Sequence, residues 1–78
     1  IVFEVPGIAG GQVPTVLEVF DVTGRRVRAL LAEPLVPGEH RVEWNGTDDQ
    51  GRAVASGTYF ARLRAAGQAK SLKLTLVK

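Results

Sequence analysis

Apolar residues recur at every second position in short segments along the chain, and each segment is broken by Gly, Pro, Asn or Asp. Side chains that alternate in this way line one face of a β-strand, so strands joined by turns are expected throughout and no helix is predicted. Ile1, Phe3 and Val5 alternate with Val2 and Glu4 and stop at Pro6-Gly7, which predicts an edge strand over 1–5. The stretch Ile8 to Pro14 holds two adjacent glycines and a proline and reads as a connection across the molecule. Thr15 to Asp21 places Leu17 and Val19 on one face and Glu18 on the other, as a half-buried strand requires. In Asp21-Val22-Thr23-Gly24 the carboxylate can accept from the backbone N–H groups that follow it, and Gly24 can adopt positive φ, so a tight hairpin is predicted. The next strand spans Arg25 to about Leu31. Val27 and Leu30 break its alternation, which predicts a bulge or bend near Arg28 to Ala29.

Glu33 to Gly38 reads as a loop in which Pro37-Gly38 forms a type II turn. Glu39 to Asn45 is predicted as a strand, with His40, Val42 and Trp44 on one face and Arg41 and Glu43 on the other. Gly46 to Gly51 is a polar turn cluster, and Ala53 to Ser56 leads into the clearest strand of the chain. There Tyr59, Ala61, Leu63 and Ala65 alternate with Phe60, Arg62 and Arg64. Ala66-Gly67 makes a hairpin, and Leu72, Leu74 and Leu76 alternate with Lys73, Thr75 and Val77 in the closing strand. Six or seven strands, at spacings of about 8 to 12 residues, predict an all-β fold: a small antiparallel immunoglobulin-like β-sandwich with two sheets over one core. Its edges are expected to be defended against edge-to-edge pairing by Lys70, Lys73, Arg62 and Arg64.

Composition narrows this picture. With 78 residues the chain can build one core, so residues 1–78 are read as one domain. There is no cysteine, which removes disulfides and zinc–thiolate sites and leaves stability to packing. No apolar run approaches the ~20 residues that cross a bilayer, and no membrane insertion is expected. The chain begins at Ile1 without methionine and is read as the C-terminal module of a longer protein whose targeting segment would lie upstream. Ten basic against eight acidic residues give a net charge of +2, too small to call for a polyanionic partner.

Each candidate for chemistry has a plainer structural reading. Asn45, Asp48 and Asp49 offer oxygen ligands for calcium in the loop that ends at Gly51, but the two carboxylates are adjacent and no acidic residue follows, so turn hydrogen bonding competes. Trp44, Tyr59 and Phe60 could stack on sugar, although Trp44 shares its face with Val42 and Tyr59 with Leu63, as core residues do. Phe60 and Phe20 fall on the face with charged neighbours and could cover a sheet edge or form an exposed patch. His40 is the lone histidine and has no partner at catalytic spacing, while Asp21, Asp48 and Asp49 read as turn residues rather than an acid–base pair. Arg25, Arg26, Arg28, Arg62 and Arg64 could meet phosphate, but Glu18, Glu33, Glu39 and Glu43 are interspersed, and nucleic acid is not expected as a partner. So small a sandwich is expected to lack the concave pocket of an enzyme, and no cofactor is expected.

The segment Val16-Leu17-Glu18-Val19-Phe20-Asp21-Val22-Thr23-Gly24-Arg25-Arg26-Val27 resembles the hairpin of the immunoglobulin-like domain named after FlgD, the flagellar hook-capping protein. The run from Val42 through Trp44, Gly46, Asp48, Gly51, Val54 and Gly57 to Tyr59 and Leu63 is similar to the core of that domain. The pattern is shared by the related C-terminal sorting domains of the type IX secretion system, whose Gly-x-Tyr strand and final Lys-containing hairpin Gly57-Thr58-Tyr59 and Lys70 to Lys78 resemble. The resemblance implies a non-catalytic C-terminal module of a secreted or cell-surface bacterial protein, serving sorting or attachment. It implies contact with the secretion or anchoring machinery, or with an adjacent domain, through Lys70, Lys73, Lys78, Arg62 and Arg64. A structural or hook-capping role and an accessory carbohydrate-binding role are the alternatives.

Overall fold

The computed structural model describes residues 1–8 and 10–78. Ala9, within the expected Ile8–Pro14 connection, lies outside the described residues. The strands are β1 (Val2–Val5), β2 (Val13–Asp21), β3 (Arg26–Leu35), β4 (Gly38–Arg41), β5 (Gly57–Ala65) and β6 (Gln68–Leu76), and the described residues contain no helix. All pairings are antiparallel. One sheet has the order β3-β2-β5-β6 and the other consists of β1 and β4. The fold is thus the small immunoglobulin-like β-sandwich that the two-residue rhythm predicts, with six strands.

The core lies between the sheets. Thr15, Leu17 and Val19 of β2 and Tyr59, Ala61, Leu63 and Ala65 of β5 are buried at every second position, because successive side chains of a strand point to opposite faces. Ile1, Phe3 and Val42 close over Leu17, Ala61 and Leu63 at one end. Trp44, Val54 and Leu76 close over Val19, Val27 and Tyr59 at the other, while Leu30 and Leu74 touch both groups. Trp44 meets Tyr59 edge-to-face with ring centroids 5.0 Å apart, a favoured arrangement for aromatic pairs. The Tyr59 hydroxyl donates to the Ala55 carbonyl at 2.6 Å, tying the start of β5 to the segment before it as the tyrosine corner of immunoglobulin-like sandwiches does.

Several boundaries differ from the expectation. β2 begins at Val13, and β3 runs to Leu35 through residues expected to form a loop. Pro34 stands opposite Pro14. Counted from the Leu17–Leu31 rung, this pair falls at a non-hydrogen-bonded position, so neither missing N–H breaks the ladder between the two strands. The strand expected over Glu39–Asn45 ends as β4 at Arg41, and its pairing with the start of the chain ends one residue later. Its last rung is Ile1–Val42, with bonds of 2.9 and 2.7 Å. From there Val42 and Trp44 keep their expected face and turn into the core. The irregularity foreseen near Arg28–Ala29 resolves into two shifts of register, one skipping Leu30 and the other Val27. Each adds a residue to β3, and both added side chains pack inward. Arg62 and Arg64, expected to guard an edge, lie on β5 between β2 and β6, so their place is the face of the sheet. Lys70 and Lys73 do lie on an edge strand.

Candidate functional site

The register of the four-stranded sheet builds its outer face row by row. One row reads Ala32, Val16, Arg64, Ala69; the next reads Ala29, Glu18, Arg62, Ser71; the third reads Arg26, Phe20, Phe60, Lys73. Glu18 is central and only 8% exposed. Its two oxygens accept from Arg26 at 3.3 Å and from Arg64 at 3.2 Å, diagonally across neighbouring strands. The guanidinium groups are half in solvent, so each pair contributes roughly 0–1 kcal/mol and serves mainly to hold the two arginines upright on the sheet. Arg62 and Lys73 form no ion pair among the described residues. The face therefore carries four cations, Arg26, Arg62, Arg64 and Lys73, with Glu18 between Arg26 and Arg64 and half-buried Phe20 and Phe60 side by side between Arg26 and Lys73.

Of the five residues singled out for partner contact, Arg62, Arg64 and Lys73 come together on this face. Lys70 stands opposite Leu63 and belongs to the inner side of β6, and Lys78 lies beyond β6, its N–H donating to the Ser56 hydroxyl at 3.1 Å. Arg26 and Glu18 complete the arrangement. The two-residue alternation puts Glu18 on the polar face, but only the register of β2 against β3 and β5 shows which arginines reach it.

The loop Asn45–Gly51 is fastened along the free edge of β3. Asp49 donates its N–H to the Val27 carbonyl at 3.0 Å and accepts from the Ala29 N–H at 2.8 Å, while its second oxygen faces Arg26 at 3.4 Å. Arg28 donates to the Asp48 carbonyl at 3.1 Å and to the Thr47 hydroxyl, and Trp44 Nε1 donates to the Thr47 carbonyl at 2.8 Å. Asn45 Oδ1 accepts from the Thr47 hydroxyl at 2.6 Å. Asn45, Asp48 and Asp49 thus turn their oxygens to three separate sets of donors. Among the described residues no cluster of three or more His, Cys, Asp or Glu side chains is arranged to hold a metal ion.

Asp48 belongs to a turn that the chain builds twice. In Asp21-Val22-Thr23-Gly24-Arg25 and in Asp48-Asp49-Gln50-Gly51-Arg52 the first residue donates its N–H to the carbonyl of the arginine, and the glycine N–H returns to the aspartate carbonyl. In both, Oδ1 accepts from the third and fifth N–H groups, at 2.9 and 3.1 Å in the first copy and 2.9 and 3.0 Å in the second. The glycines have φ of +87° and +78°, a region that residues with a Cβ seldom enter. The Thr23 hydroxyl leads in holding the Asp21 carboxyl below the usual carboxylate range, and the Arg52 N–H leads the same effect at Asp48; desolvation opposes both, and the remaining backbone N–H groups and nearby arginines reinforce the lowering. A depressed native pKa stabilises the fold above the unfolded value of about 3.9, and that contribution is lost as pH falls through the native values. The midpoint of thermal unfolding is therefore expected to fall below about pH 4. Asp21→Asn and Asp48→Asn should each flatten the decline when melts are recorded from pH 6 to pH 2.

The aromatic candidates separate. Trp44 and Tyr59 are core residues, whereas Phe60 lies on the outer face beside Phe20. His40 stacks on Phe3 with ring centroids 5.8 Å apart and donates from Nε2 to the Val36 carbonyl at 2.7 Å. Chain length gives the expectation that an enzyme's concave pocket is lacking; the fold does have a groove. Because the two-stranded sheet is narrower than the sheet it covers, a groove opens between β1 and β6, with cavities of about 390 and 200 Å³ that share Glu4, Leu63 and Lys70.

No curated protein matches the chain, and no solved structure does. Residues 9–70, from the β1–β2 connection into β6, match the family model described as FlgD Ig-like domain; that span holds β2 to β5, Trp44 and Tyr59, and both Asp-x-x-Gly-Arg turns. The chain belongs to the FlgD Ig-like domain family.

Proposed function

We propose that this domain is a non-catalytic contact module of a secreted bacterial protein, acting in sorting or cell-surface attachment by binding other proteins. The observation that carries the reading is the outer face of the four-stranded sheet, where Arg26 and Arg64 pair with Glu18, Arg62 stands opposite it, and Arg26 and Lys73 flank Phe20 and Phe60. Aromatic groups and arginines on one flat, wide face suit a protein partner, because they combine apolar area with planar hydrogen-bonding groups. The packing of partly buried Trp44 edge-to-face on buried Tyr59 tells against a sugar-stacking platform built on them. The resemblance of Gly57-Thr58-Tyr59 and Lys70–Lys78 to the ending of type IX sorting domains favours export.

A reporter carrying this domain at its C-terminus should reach the medium or cell surface of a host with that secretion system, and Arg62→Glu with Lys73→Glu should cut the exported fraction without altering the melting temperature. A reporter that stays inside the cell removes the sorting role. The second reading, a structural module of the flagellar hook-capping kind, is favoured by family membership itself. It predicts that deleting the domain from its parent protein abolishes hook assembly while export of other cargo continues.

A further inference from the structure

We propose that the groove between β1 and β6 is a binding site for one extended strand of another protein, which pairs with the free edge of β1 and completes a three-stranded sheet over the four-stranded one. Hydrogen-bond parity supplies the first argument. Ile1 and Val42 exchange both backbone bonds, so in an antiparallel ladder the next bonded rungs are Phe3–His40 and Val5–Gly38. The N–H and C=O groups of Val2 and Glu4 therefore point away from β4, toward the groove. An exposed row of such groups is a template for one more strand.

The second argument is the floor. Ala61, Leu63, Lys70 and Leu72 lie on the inner side of β5 and β6, and Leu72 is 48% exposed although it faces the second sheet. The roof over it is missing. β1 runs beside β6 in the opposite sense, with Ile1 and Val2 beside Leu72 and Val5 beside Gln68 and Lys70, so the cleft is as long as a short strand and straight.

Charge selects further. Phe3 and Val5 face the core, so alternation turns the Glu4 side chain outward and leaves Lys70 as the only charged group of the floor. The occupant is thus a strand with apolar residues at alternate positions over Leu63 and Leu72 and an acidic residue over Lys70. The site differs from the basic outer face, so it stands whether the domain sorts, anchors or spaces.

The probe is the capped peptide acetyl-Thr-Glu-Thr-Val-Thr-Val-Thr-amide, added to the isotope-labelled chain and followed by backbone amide shifts. Shifts are expected at Val2, Glu4, Lys70 and Leu72. N-methylation of the threonines that face β1 should weaken binding at least about tenfold, since each removes a backbone bond, whereas N-methylation of the valines should change it less than about threefold. Glu4→Pro should reproduce the tenfold loss with the melting temperature kept, because that N–H bonds nothing in β4. Lys70→Glu should weaken the peptide, and a peptide with Lys in place of Glu should restore it. No shifts at millimolar peptide, shifts confined to the Arg62 and Lys73 face, or equal affinity of the two methylated peptides would each overturn the site. So would protection of the Val2 and Glu4 amides without peptide, since the edge would then be occupied already by a second copy or by the parent chain. Reporter export is unaffected by these outcomes, so loss of the groove and loss of the sorting role can be told apart.

Discussion

Truncation of Leu17 to alanine is expected to lower the free energy of unfolding by about 2–5 kcal/mol. Leu17 is 1% exposed and sits on β2 between β3 and β5, against Ala61 and Leu63 and under Phe3, Leu30 and Leu31. Removing its isobutyl group leaves a cavity walled by strands that are hydrogen-bonded on both sides, and such walls relax little. A chain of this size has about 4–12 kcal/mol of stability in all, so Leu17→Ala consumes a large share of it. Each kcal/mol lowers the melting temperature of so small a domain by about 4–8 °C. Urea unfolding checks the value, and the m-value should stay constant. Leu72→Ala is the control. Leu72 also faces inward but has no roof, so its truncation should cost less than about 1 kcal/mol.

Trp44→Ala should cost about 3 kcal/mol, the lower end for loss of a large aromatic, because Trp44 is only partly buried. Two changes add together. The edge-to-face contact with Tyr59 is lost, and so is the Nε1 bond to the Thr47 carbonyl that anchors the loop over the β3 edge. The Ala29 N–H, which donates to the Asp49 carboxylate, and the Asp49 N–H, which donates to the Val27 carbonyl, should then exchange faster with solvent. Thermal unfolding with amide exchange measures both effects. A Trp44→Ala chain that melts like the parent would place the indole outside the core and reopen the sugar-stacking reading.

The strands that alternate strictly were legible from sequence because each has one buried and one solvated face. β5 is the clearest case, with Tyr59, Ala61, Leu63 and Ala65 inward and Phe60, Arg62 and Arg64 outward. Strand ends were less legible. Pro34 argues for a loop until its partner is known to be Pro14, since a proline is tolerated wherever its missing N–H would meet no acceptor. The Trp44 strand ended early because alternation reports which face a side chain takes and not whether the backbone has a partner. Asp21, Asp48 and Asp49 read as turn residues from sequence, but only the backbone bonds show that the two Asp-x-x-Gly-Arg segments build the same turn. The Glu18 cluster depends on two added residues in β3, Val27 and Leu30, which shift the register and bring Arg26 within reach. The groove is a difference in width between the two sheets, and strand count alone does not reveal it.

Lys73 on the basic face and Lys70 and Leu72 in the groove all rest on one register, that of β5 against β6. The two-residue turn at Ala66-Gly67, with φ of +52° and +73°, closes the Ala65–Gln68 rung and fixes it. Residue-resolved amide hydrogen exchange tests it most directly. Slow exchange is expected at Lys70, Leu72 and Leu74, which bond to β5, and fast exchange at Ala69, Ser71, Lys73 and Thr75, which face the open edge. The opposite parity would mean a slip of one residue, which turns Lys73 into the core and Leu72 out of it, and would contradict both the basic face and the groove.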